Sequence, residues 1–323
     1  MQLDALDKKI LYELDRNSRQ SLVQLAKKIR RSRTTVDFRI HRLKQGNVIR
    51  NFVTLMRPST LGLTPYKIFL QLQSVTEEDV QKIASVIETL PSHWSAKVNG
   101  SWDFIIGVMT NNVKKFNILK MKILSDLGPH IVKRSISTTT EITHFGRDYL
   151  VGGKHKEVHQ WVADFLPLNL TTTELQMLKL LSMNSRLTVK EISQETELDA
   201  LTVVHKLKRF SKQGVIYMHN ISLNLDTIGF SAFKVLVYFR YYTPKLRETF
   251  VSYCQTRPHL INLVECIGEW DVELDFELPR IEDLYQELRD LRSAFAGQII
   301  HTDILLVEKE YGYTTIPATL SIE

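Results

Sequence analysis

The sequence predicts an α+β chain built twice, each repeat a winged helix-turn-helix followed by a ferredoxin-like βαββαβ sandwich. Three observations predict it. First, short motifs return at a nearly constant spacing. Asn17-Ser18-Arg19 returns as Asn184-Ser185-Arg186, Leu61-Gly62 as Ile228-Gly229 and Lys67 as Lys234, each 167 residues on. Gly100-Ser101-Trp102-Asp103 returns as Gly268-Glu269-Trp270-Asp271, 168 residues on. Solenoid repeats have periods of about 20–50 residues, so this is a duplicated two-part module. Second, the first fifty residues hold three short apolar stripes at helical spacing, each behind a cap residue. Third, beyond residue 64 the periodicity alternates between strand and helix in the order βαββαβ.

The first module is justified element by element. Leu6, Ile10, Leu11 and Leu14 make the stripe of a helix over 4–15, with Asp4 as N-cap. Ser21 caps a second helix over 21–29, with Leu22, Leu25, Ala26 and Ile29 inward. Arg30-Arg31-Ser32 is a turn ending in another cap. A third helix over 33–45 buries Val36, Ile40 and Leu43 and stops at Gly46. Residues 48–52 read as an extended wing. Then 66–72 alternates as a strand, Thr76 caps an acidic helix start, and 94–98 and 104–109 are strands joined by a tight hairpin. A helix over 113–127 breaks at Gly128-Pro129, and β-branched residues fill a last strand over 131–142.

In the second module, Gly152-Gly153 marks the junction, and 155–166 reads as a connecting helix with Val158, Trp161, Val162 and Phe165 on one face. Thr171 and Glu174 form a capping box before the repeated first helix. Strands fit 233–240, 261–267, 272–277 and 298–307, and Pro244 and Pro279 each open a helix. The expected domains are therefore 1–55 and 171–222 (helix-turn-helix), 64–146 and 231–312 (sandwich), and 147–170 (linker).

Composition narrows the class. The chain has 323 residues, 43% hydrophobic and 24% charged, which fits a globular protein of two to four domains. No apolar run approaches the ~18 residues of a membrane span, and residues 1–9 lack the basic-then-apolar order of a signal peptide, so a cytoplasmic protein is expected. Cys254 and Cys266 have no metal spacing; two free thiols are favoured over a lone disulfide. No phosphate loop, dinucleotide fingerprint, zinc motif or nucleophile elbow is present, so neither catalysis nor a cofactor is expected. His155 and His159 lie four apart, but without a third ligand they read as a polar surface rather than a metal site.

Charge distribution carries more. Between Lys27 and Arg50 stand nine Lys/Arg against one acid, Asp37. Basic side chains around the start of a recognition helix sit where DNA phosphates approach. Lys28, Arg30, Arg31, Arg39 and Arg50 are candidate phosphate contacts. Ser32 is the cap, and Arg33, Thr34, Asp37, Phe38 and Arg42 are candidate base contacts. The competing reading is a solvated basic face. In the second module Arg30, Arg31 and Arg33 become Glu197, Leu198 and Ala200, while Ser32, Thr34 and Asp37 become Asp199, Leu201 and Val204. Its stripe (Val203, Leu207, Phe210) survives. The second helix-turn-helix is therefore expected to bind DNA weakly or to dock protein; the alternative is residual binding through Lys206, Lys208, Arg209 and Lys212.

Several stretches together resemble the Lrp/AsnC family of feast/famine transcription regulators. Residues 3–11 resemble its opening helix and Leu25-Ala26 followed by Ser32 its turn and cap. Gly46-Asn47-Val48-Ile49 resembles its exit into the wing, with one extra residue. Leu61-Gly62 resembles its lead into the first sandwich strand, and Gly100-Ser101-Trp102-Asp103 its Gly-x-aromatic-Asp hairpin. The resemblance covers about 145 residues, and the usual chain has one such module where this one has two. It implies binding to double-stranded DNA, a sandwich that dimerises, and an amino-acid-like effector. It also makes the hairpins (Gly100, Trp102, Asp103; Gly268, Trp270, Asp271) candidate effector residues, against the plainer reading that the aspartates hold the turn and the tryptophans pack. Two sandwiches can pair within one chain. Pairing like with like between two chains is preferred, which expects a homo-oligomer and a near-palindromic site. Siroheme decarboxylases share this architecture and are the rival reading, with basic and histidine side chains converging on the sandwich to hold a tetrapyrrole. A ligand-sensing adaptor acting through protein contacts is a third.

Overall fold

The computed structural model describes residues 2–73, 76–90, 92–153, 158–163, 167–317 and 320. The first head is α1 (Ala5–Arg16), α2 (Leu22–Ile29), α3 (Arg33–Gln45) and a wing strand β1 (Ile49–Met56). Asp4, Ser21 and Ser32 cap the three helices, accepting from backbone N–H groups that would otherwise lack partners. After α3 the left-handed residue is Asn47, with Gly46 in an ordinary conformation, so the chain turns one residue later than expected. The second head repeats this as α6 (Thr172–Met183), α7 (Val189–Thr196), α8 (Ala200–Lys212) and β7 (Ile216–Leu223).

The first sandwich runs β2 (Thr64–Leu72), α4 (Glu77–Thr89), β3 (Ser92–Gly100), β4 (Phe104–Thr110), α5 (Val113–Leu127) and β5 (Ile131–His144). The second runs β8 (Ser231–Phe239), α9 (Pro244–Cys254), β9 (Leu260–Ile267), β10 (Val272–Leu278), α10 (Ile281–Ala294) and β11 (Ile299–Tyr313). Pro244 opens α9 as expected, whereas Pro279 stands before Arg280, the N-cap of α10. The expected connecting helix is corrected: its residues 159–162 form a strand, β6 (His159–Val162), paired with Glu141–His144 of β5. Its other residues, apart from Val158 and Ala163, lie outside those described, as does His155 of the histidine pair.

The sandwiches pair with each other inside one chain. Strand β3 pairs antiparallel with β11 and β5 with β9, while β2 also bonds β5, so eight strands close a ring: β2-β4-β3-β11-β8-β10-β9-β5. Closure leaves no ring edge unpaired. The preferred like-with-like pairing between two chains is corrected, because the strand edges it would use are already joined within the chain. Helices α4 and α5 cover one half of the ring outside, around Ile68, Leu70 and Ile106; α9 and α10 cover the other, around Val235 and Leu274.

The heads obey the same pseudo-two-fold. Wing β1 pairs with wing β7 as a two-stranded ribbon. The Ser18 and Ser185 hydroxyls meet at 2.6 Å across the axis. Arg19 donates to the carbonyls of Ser185 and Leu187, and Arg186 to those of Ser18 and Gln20. The Asn-Ser-Arg motif that returns in sequence is thus the clasp between the heads. Each head's core is completed by the other's wing: Ile221 and Leu223 enter the first, Met56 the second.

Candidate functional site

Two regions could carry function: the leading edge of α3, and a cavity between the ribbon and the ring. At α3, Arg30, Arg31, Ser32, Arg33, Thr34, Asp37 and Phe38 are all exposed. Phe38, 65% exposed, presents its ring to solvent beside them. Arg30 has φ 55°, as has its counterpart Glu197. Both heads thus turn through a left-handed residue here, while the charge on it is reversed.

The remaining basic candidates are engaged inside the protein. Arg39 donates to Asp4 (2.5 Å) and Asp7 (3.1 Å), and Arg42 donates to Asp7, whose side chain is fully buried. The second head repeats this with Lys206 (2.5 Å) and Arg209 (2.6 Å) on buried Glu174. Hydrogen bonds from Lys206 and from the Thr171 backbone hold the Glu174 carboxyl below its ordinary value, outweighing burial. These cations clamp the third helix to the first in both heads. Lys28 pairs with Glu13, and Arg50 with Glu310 and Asn224. The exposed, unclamped basic edge thus narrows to Arg30, Arg31 and Arg33. In the second head the same edge presents Leu201, 65% exposed.

The six hairpin residues do not line the cavity. Asp103 accepts from the Leu72 N–H at 2.7 Å and Asp271 from the Phe239 N–H at 2.9 Å, so the aspartates tie each hairpin to the first strand of its own sandwich. Trp102 and Trp270 are buried within the ring among Phe69, Val98, Leu236 and Leu305. Phe69 meets Trp270 edge-on at 4.5 Å. Gly100, at φ 149°, lies where a Cβ would collide with the Ile304 carbonyl of the other sandwich, and Gly268 packs against Ser137.

The tryptophans fill one end of the ring. At the other end, under the β1–β7 ribbon, lies a cavity of about 270 Å³. Its roof is Val53, Leu55, Tyr217 and Asn220; its floor includes Lys67, Lys234, Asp275, His93 and His144. Lys67 and Lys234 both donate to buried Glu273, at 2.5 and 2.8 Å, and Lys234 also to Asp275 at 2.5 Å. The two ammonium groups hold the Glu273 carboxyl down at about 2 against the effect of burial. Arg147 is held by Asp15 and Glu277 at 2.5 and 2.7 Å. Burial pushes His93 down to about 3, helped by Lys67, and lowers His144, so both are neutral near pH 7. The repeated lysine in an apolar strand was the sequence signal for this cluster. His144, Asn220 and Trp161 gave none, since folding alone brings β5, β6 and β7 together. Among the described residues no cluster of His, Cys, Asp or Glu has metal-site geometry, and no helix is long and apolar enough to cross a membrane.

Residues 3–44 match the family model of the AsnC-type helix-turn-helix domain. The chain is 28% identical over 147 residues to an uncharacterised helix-turn-helix transcriptional regulator of Pyrococcus horikoshii, covering 43% of this chain and 96% of that protein. It is 24% identical over 135 residues to the proline dehydrogenase transcriptional activator of Rhodobacter capsulatus, covering 41% of this chain and 87% of that one. These shares are what one of two modules would give. Across its whole length the fold is similar to the crystal structure of the siroheme decarboxylase NirDL, with TM-score 0.63 and 11% identity, covering 98% of this chain and 95% of that one. That likeness is one of fold, and it includes the duplicated arrangement.

Proposed function

For a chain that carries an AsnC-type helix-turn-helix domain and has Lrp/AsnC-family transcriptional regulators as homologues, we propose a sequence-specific DNA-binding transcription regulator that reads DNA with its first head and responds to a small molecule. One observation carries this reading: Arg30, Arg31 and Arg33 stand exposed beside the N-terminus of α3, while the corresponding positions of the second head present Glu197, Leu198 and Ala200. Cations at that position meet phosphates and guanine edges. The second head contributes the clasp and a flanking surface rather than phosphate contacts. Replacing Arg30 and Arg31 by Ala should lower the slope of log affinity against log salt by about two units. Replacing Arg33 should cost about 1–3 kcal/mol of preference for the best site over random DNA. An unchanged slope in the double variant would remove the first head as the reader.

The tetrapyrrole enzyme is the second reading, favoured by the full-length likeness of fold and by the lysine, arginine and histidine side chains around one cavity. Charge and size weigh against it. Lys67, Lys234 and Arg147 are already neutralised by Glu273, Asp275, Asp15 and Glu277. A volume of about 270 Å³ lies below the about 300–1,000 Å³ usual for drug-sized ligands, and a polycarboxylate macrocycle needs the upper part of that range. Titration with an iron porphyrin should give no saturable Soret shift.

A further inference from the structure

The cavity is lined by none of the hairpin residues and by none of the exposed α3 edge, and its charged groups form a defined set. Lys67, Lys234, Arg147, Asp275 and Glu277 line it, and Glu273 and Asp15 pair with those cations from behind the lining, so the cluster holds three positive charges and four negative ones. Glu310 also lines it but is matched by Arg50 at 3.2 Å. With both histidines neutral, one negative charge is left over. Of these seven groups Asp275 is the most open: it is 30% exposed, against 4% for Lys234 and 0% for Glu273. Asn262 donates to its other oxygen at 3.1 Å, which fixes the carboxylate against β9. Trp94, Trp161 and Tyr217 line the same cavity among aliphatic side chains. Trp161 is 1% exposed and its indole N–H has no acceptor among the described residues. A carboxylate in a cavity with partly aromatic walls suits an ammonium group. An engineered cavity of about 150 Å³ holds benzene, so one of about 270 Å³ holds roughly ten non-hydrogen atoms.

We propose that this cavity binds a small molecule carrying an ammonium group on an apolar body, with the ammonium on Asp275 and the body against the β1–β7 ribbon. The ribbon carries both heads, so an occupant touching Val53, Leu55 and Tyr217 as well as the ring floor ties the heads to the ring. A ligand shifts a conformational equilibrium only by binding one state better, and the cavity is formed only where ribbon and ring are docked. The inference deepens the regulator reading by naming the effector site, but occupancy itself does not depend on DNA binding.

The test uses the full chain without DNA, titrated with phenethylamine and with 3-phenylpropionate, which offers the same body with the opposite charge. Phenethylamine should bind saturably, quench tryptophan fluorescence and slow hydrogen exchange in β1 and β7; 3-phenylpropionate should do neither. Asp275→Asn should weaken phenethylamine by at least about tenfold, the loss expected for one charge-assisted contact. Lys234 keeps Glu273 in that variant, and an unchanged melting temperature would verify the fold. Met109→Trp, which fills the cavity from a half-buried wall position, should abolish binding without touching any charge. Absence of saturable binding, equal binding of the two probes, equal affinity in Asp275→Asn, or binding without slowed exchange in the ribbon would each overturn the proposal. Saturable amine binding by a protein that selects no DNA would overturn the regulator reading and leave the site standing.

Discussion

At the residue scale, the clearest lesson is how much a basic side chain's meaning depends on its partner. Arg39 and Arg42 looked like DNA contacts because they sit on the recognition helix among other cations. The acids they serve, Asp4 and Asp7, lie more than thirty residues away in sequence, and only folding brings them together. The repeat held the clue, since Asp7, Arg39 and Arg42 return as Glu174, Lys206 and Arg209 with the same pairing. A pair kept in a head that has lost its basic edge belongs to structure. Asp7→Ala should therefore cost about 1.5–3 kcal/mol in denaturant unfolding, the range for hydrogen bonds to a charged group, while leaving the salt slope of DNA binding unchanged. A second residue-scale expectation concerns acid. Burial, with Arg19 nearby, holds His219 down at about 4, and His93 is at about 3. Both are depressed below the ordinary value near 6.5, so the unfolded chain binds more protons between the two values. Their contribution is fully present above about pH 6.5 and is lost as pH falls towards 4 and 3. Urea midpoints should decline from pH 6.5 downward, and His219→Gln should make that decline shallower.

At the element scale, caps and stripes made the helices legible: Asp4, Ser21, Ser32, Thr76 and Thr171 all cap the helices they were expected to cap. In the linker the spacing of Val158, Trp161, Val162 and Phe165 predicts a helix stripe, yet 159–162 pair as a strand with the far end of β5. Tertiary pairing overrode a local pattern too short to decide. The same scale separates the two reading helices. Both α3 and α8 have thirteen residues and an acid-clamped base, but α8 presents Leu201 where α3 presents Thr34. Leu201→Ala with Val204→Ala should leave DNA affinity within about twofold, as expected for surface changes outside a binding interface. A larger loss would return α8 to the DNA-reading surface.

At the scale of the whole molecule, the duplication closes on itself. Sequence showed that two sandwiches existed, but not which edges would meet, because β3 against β11 and β5 against β9 are pairings over long sequence distance with no local signature. The cavity was illegible for the same reason: its roof comes from both heads and its floor from both sandwiches. Closure also changes the expected operator. A chain with its own pseudo-two-fold, one basic head and one altered head has no reason to read a palindrome. The half-site facing α3 should be specified, and the half facing α8 should be nearly free.

Selection from genomic DNA fragments at near-physiological salt tests this account most directly, run with the natural chain beside an Arg30/Arg31/Arg33→Ala variant that leaves the Asp7 clamp intact. The natural chain should enrich one asymmetric element, and the variant should lose it. Equal enrichment by both proteins, no enrichment by either, or a palindrome read equally on both sides would contradict it.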